Sequence, residues 1–155
     1  MSPVLKRAAG VAVVFVCLAT LLALSKGRIA HEQCIAQPED GTWINSDPAT
    51  RSFPRAVLRF TCQDQVLNGQ PYPPGPPWHI HLWGSCHPTN CDWGETGATR
   101  LSSGWIYGTY DQGFAKRYVY ARMSQARPGQ LRTYVWTDFT DPRRADYASN
   151  DYYHR

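Results

Sequence analysis

Phe114-Ala-Lys-Arg-Tyr-Val-Tyr-Ala-Arg-Met123 and Gln130-Leu-Arg-Thr-Tyr-Val-Trp-Thr-Asp-Phe139, joined through Arg127-Pro-Gly-Gln130, decide the fold. In the second run Leu131, Thr133, Val135, Thr137 and Phe139 alternate with Arg132, Tyr134, Trp136 and Asp138. In the first, Ala115, Val119, Ala121 and Met123 alternate with Phe114, Lys116, Tyr118, Tyr120 and Arg122. A period of two belongs to strands with two unlike faces, and the Pro-Gly pair between the runs is hairpin chemistry. One face is aliphatic and small; the other is aromatic with arginine.

Similar short runs, rich in Val, Tyr, Trp, Thr and Phe, fall near 41–46, 55–63, 78–84, 93–100, 103–110 and 150–154. Gly, Pro, Asn and Asp separate them, and no stretch beyond residue 25 shows helical periodicity. Tyr110-Asp-Gln-Gly113 and Asp141-Pro-Arg-Arg144 read as turns. Residues 68–77 hold five prolines, which removes ladder donors, so this segment is expected to be an exposed, extended connector. The expected fold is all-β: a single up-and-down antiparallel β-barrel of about eight strands over residues 41–155. An arm (26–40) and an apolar leader (1–25) precede it. Such a barrel is just wide enough inside for side chains or one small ligand. If the aliphatic face fills it, the Tyr/Trp/Arg face becomes a large amphipathic exterior that invites a partner. The reverse assignment lines a cavity suited to a polar, ring-shaped ligand. Both assignments are open.

Residues 8–25 carry no charge and follow Lys6-Arg7, the order of a secretory signal. Ala23 and Ser25 are the small residues a signal peptidase reads, so cleavage after Ser25 is expected. The rival is an uncleaved membrane anchor, since a span needs about 20 apolar residues. Either way the protein is expected outside the cytoplasm, touching a membrane only through the leader if that is retained. Beyond the leader four cysteines remain of the five: Cys34, Cys62, Cys86 and Cys91. An even count in a small exported domain reads as disulfides. The short gap makes Cys86–Cys91 the local bridge and leaves Cys34 with Cys62, worth on the order of 3 kcal/mol in the chain-entropy model.

Setting Lys6 and Arg7 aside, 14 of the 16 basic residues stand against 12 acidic ones. The arginines are scattered, at 51, 55, 59, 100, 122, 127 and 132, with no basic stripe. No nucleic-acid partner is expected.

Gly41-Thr-Trp-Ile-Asn45, followed by a succession of hairpins and a final Tyr153-His-Arg155, resembles the calycin plan of lipocalins and avidins. There a Gly-x-Trp motif opens the first strand and a basic residue near the last strand stacks on its tryptophan. The resemblance implies a barrel and structural roles for Trp43 and Arg155. It implies no ligand.

The densest chemistry lies in Trp78-His-Ile-His-Leu-Trp-Gly-Ser-Cys-His-Pro-Thr-Asn-Cys-Asp-Trp-Gly-Glu95. On an extended strand Trp78, Ile80 and Leu82 share one face, and His79, His81 and Trp83 the other. His79 and His81 can reach one ion, with His87, Asp92 or Glu95 as third ligand. Trp-His-Ile-His-Leu-Trp-Gly is similar to the zinc strand of α-type carbonic anhydrases, yet the chain is far too short for that fold. Asp92 and Glu95 have the residue types of a glycosidase pair, although carboxylates in a disulfide turn more often bind backbone. No nucleophile elbow or phosphate loop is present.

Three functions follow. The first is an exported, disulfide-bonded barrel that binds a small molecule or glycan, with His79, His81, Trp83, His87, Asp92 and Trp93 as candidate contacts and no cofactor. The second is an envelope-associated interaction or inhibitor domain that presents the Cys86–Cys91 loop to an extracellular protein. The third is a metal-dependent enzyme using His79 and His81. The binding module is preferred.

Overall fold

Eight strands close into an antiparallel barrel in the computed structural model, which describes residues 34–155. The expected leader, and the expected arm as far as residue 33, lie outside the described residues. Around the barrel run β1 (Gly41–Asn45), β2 (Arg55–Phe60), β5 (Trp78–Gly84), β6 (Cys91–Arg100), β7 (Ile106–Asp111), β8 (Ala115–Met123), β9 (Leu131–Phe139) and β10 (Tyr147–His154). Strand β10 returns to β1, with Ile44 opposite His154, so no barrel edge is left unpaired. Each barrel strand neighbours the next along the chain, which is the up-and-down order.

The proline-rich segment differs from expectation. Its first part is a separate two-stranded hairpin, β3 (Gln65–Leu67) and β4 (Gln70–Tyr72), with Val66 opposite Pro71. Asn68 and Gly69 form its turn at φ 53° and 76°, the positive-φ pair that a tight hairpin requires. A two-strand ribbon has only outer edges, so Pro71 deprives no interior ladder of a donor. Strand ends also move: residues 101–104 turn back, with Gly104 N donating to Leu101 O at 2.9 Å, so β7 starts at Ile106. Strand β10 reaches back to Tyr147 because it pairs along β9 as far as Thr137.

The aliphatic face is inside. Val119, Ala121, Leu131, Thr133 and Val135 are at most 1% exposed, as are Ile106 on the adjoining β7 and Leu58, Ile80 and Leu82 on the opposite wall. Side chains therefore fill the lumen. Burying each large aliphatic group contributes about 1.5–3 kcal/mol. The Tyr/Trp/Arg face is the exterior, which removes the alternative of an aromatic-lined cavity.

The arm, 34–40, crosses one barrel end. Trp43 Nε1 donates to Glu39 O at 2.8 Å, and the Arg155 guanidinium lies 4.8 Å from the Trp43 ring centre. Arg155 Nη2 also donates to the carbonyls of Pro38 and Asp40. Buried Glu39 receives both terminal nitrogens of Arg100, at 3.1 and 2.8 Å. Cys34–Cys62 ties the arm to the chain beyond β2, and Cys86–Cys91 closes the loop between β5 and β6.

Candidate functional site

Strand β5 alternates as its sequence requires, burying Trp78, Ile80 and Leu82 and turning His79, His81 and Trp83 outward. A bulge in β6 then decides which residues meet them. His81 pairs with Glu95 and Trp83 with Asp92, so two residues, Trp93 and Gly94, oppose the single Leu82. Gly94 takes φ 72°, which any Cβ would resist. The inserted residue puts Asp92 and Glu95, three apart, on the same exterior face and turns Trp93 inward.

Most of the groups on this face are already engaged with one another. The His81 ring stacks on Trp83 at 3.9 Å and 9°, and the Arg55 guanidinium lies 4.2 Å from the same indole. Two groups therefore engage the Trp83 indole. Asp92 Oδ1 lies 2.5 Å from His81 Nε2 and accepts the Gly94 N–H at 2.7 Å. The Gly94 amide first, and His81 second, hold the Asp92 carboxyl below its ordinary value. Glu95 is paired with Arg59, which lowers its pKa in turn. Trp93 is not part of this surface: it lies edge-on to Phe53 at 4.6 Å and carries Arg117 3.9 Å above its ring. His87 sits apart on the exposed disulfide loop. Among the described residues the group close enough to hold a metal is Cys34, Cys62 and Asp64, whose sulfurs are joined in a disulfide. His79 and His81 belong to no such group.

A second surface lies on the exterior of β7, β8 and β9. Register lays out its rows: Tyr118 beside Trp136; Tyr107, Tyr120 and Tyr134 across three strands; and Arg122 beside Arg132. Tyr107 and Tyr120 are 5.0 Å apart, Tyr120 and Tyr134 6.1 Å, and Trp105 sits edge-on to Tyr120 at 6.3 Å. A depression of about 470 Å³ opens here, lined by Trp105, Tyr118, Tyr120, Arg132, Tyr134 and Trp136 among others. Tyr134 is 36% exposed and Trp136 38%. Among the described residues no ring or cation stacks on Trp136, in contrast to Trp83. Partial burial beside two other phenols raises the Tyr107 pKa, so its hydroxyl is a neutral donor and acceptor at neutral pH.

These residues carry an alternating signal in sequence, but their role depends on which face of the sheet is outside. Closure of the barrel supplies that. No family model, curated protein or solved structure matches this chain.

Proposed function

We propose that this protein is an exported, calycin-like barrel that binds a glycan on the outer face of β7–β9. The carrying observation is Trp136, 38% exposed and, among the described residues, with no ring or cation stacked on it, beside a shallow, tyrosine-lined depression. A pyranose ring offers an apolar face of C–H bonds, partly positive, to the negative face of an aromatic ring. Its hydroxyls at the ring edge match phenol and guanidinium groups around the rim. The buried aliphatic core supports an exterior site, because it leaves the tyrosines and Trp136 of β7–β9 on the outside. Two disulfides and the apolar leader support export. The Arg155–Trp43 contact supports the calycin likeness.

Immobilised polysaccharides tested against wild type, Trp136→Ala and Trp83→Ala examine this reading. Wild type and Trp83→Ala are retained, while Trp136→Ala loses at least tenfold in affinity. A surface truncation of this kind changes folding stability by about 0.5 kcal/mol or less. Equal retention of Trp136→Ala contradicts the reading.

A further inference from the structure

Arg122 and Arg132 face each other directly across β8 and β9 at the edge of the aromatic depression. Like charges in opposed positions destabilise a sheet, so their juxtaposition calls for something between them. Both lean on one indole: Arg122 lies 4.3 Å from the Trp105 ring centre and Arg132 5.7 Å. Among the described residues, ion pairs join Arg59 to Glu95, His81 to Asp92, Arg100 to Glu39 and Arg143 to Asp141. Neither Arg122 nor Arg132 has a carboxylate partner among the described residues. Arg132 Nε donates to the neutral Asn150 Oδ1 at 2.9 Å, and the buried Arg122 Nε has no hydrogen-bond partner. A third guanidinium without a carboxylate partner, Arg127, stands over Tyr152 at 3.9 Å in the same edge, where Tyr152 pairs with Arg132.

Resting on the glycan reading above, we infer that the ligand is an acidic carbohydrate whose ring carboxylate lies between Arg122 and Arg132 while its sugar face covers Trp136 and Tyr134. A planar carboxylate matches the guanidinium fork in both spacing and charge. It relieves the repulsion that the empty pair sustains. A neutral sugar leaves that repulsion in place, and a small anion without rings leaves the aromatic floor uncovered. Carbohydrate and carboxylate together fit both halves of the site.

Calorimetric titration of the full oxidised chain with three probes tests this. They are oligomers of a hexuronic acid, the same oligomers with their carboxyls reduced to alcohols, and a sulfated neutral oligomer of equal length. Wild type binds the uronate oligomer at least tenfold more tightly than the reduced or sulfated one, and more weakly as salt rises. Arg132→Gln and Arg122→Gln remove that preference, binding acidic and reduced oligomers alike. Arg132→Lys keeps the charge without the fork and loses most of the preference. It also guards against a folding defect in the glutamine variants, which thermal melting checks directly. Equal wild-type affinity for acidic and reduced oligomers overturns the carboxylate and leaves the glycan reading standing. Equal affinity for the sulfated probe overturns it in favour of a general anion patch. Binding of no probe, with Trp136→Ala indistinguishable from wild type against every polysaccharide, overturns both. Self-association that Arg132→Gln abolishes overturns the inference in favour of a second copy of this chain.

Discussion

Trp83 on β5 and Trp136 on β9 both point outward, on opposite sides of one barrel, and their surroundings differ. Trp83 is held between His81 and Arg55, a pair of contacts worth roughly 0.5–2 kcal/mol as cation–π and stacking terms. Trp136, 38% exposed, has no such ring or cation partner among the described residues, which is why the glycan reading rests on it. The sequence identifies both tryptophans but cannot rank them. Trp83 stood in the denser motif, and the partner that covers it, Arg55, is 28 residues away. Asp92 shows the same dependence on distant pairing. Its carboxyl is depressed below the ordinary 3.8 by the Gly94 amide and His81. The stabilisation it provides is therefore present above pH 3.8 and is lost as pH falls through its lower native value. NMR titration of Asp92 gives a midpoint under 3.8, rising toward that value in His81→Ala; a wild-type midpoint at or above 3.8 contradicts this.

The bulge of β6 is the element that separates the two faces of the β5–β6 ribbon. It turns Trp93 into the barrel beneath Gly84, where a Cβ on Gly84 would come within 2.5 Å of Trp93 Nε1. Trp93 is half-buried and held by Phe53 and Arg117. Gly84→Ala accordingly destabilises by about 1–3 kcal/mol through overpacking. Combining it with Trp93→Phe costs less than the two changes summed, a coupling that denaturant midpoints measure. Additive effects contradict the contact. Elements with strict alternation, β5, β8 and β9, were legible from sequence to within a residue or two. The bulge and the β3–β4 hairpin were not. A bulge is set by what the neighbouring strand must pair with, and the prolines around Asn68-Gly69 masked a strong turn signal.

At the scale of the whole molecule, the barrel has an aliphatic core and one strapped end. The strap is anchored by Glu39, buried to 4% exposure and paired with Arg100. Removing the partner strands a buried carboxylate, so Arg100→Ala lowers stability by about 3 kcal/mol without altering the β7–β9 surface. Chemical denaturation and glycan titration of this one variant separate the two effects; a loss of binding in the folded variant contradicts their independence. The closed sheet and its two unlike faces were legible in the alternation of β8 and β9, but which face is inside is set by closure. The most direct measurement follows the six indole N–H signals of the 15N-labelled protein during titration with a hexuronic acid oligomer. The account predicts that Trp105 and Trp136 shift while Trp43, Trp78, Trp83 and Trp93 stay still. Movement of Trp83 or Trp93 with Trp105 and Trp136 unchanged would contradict it.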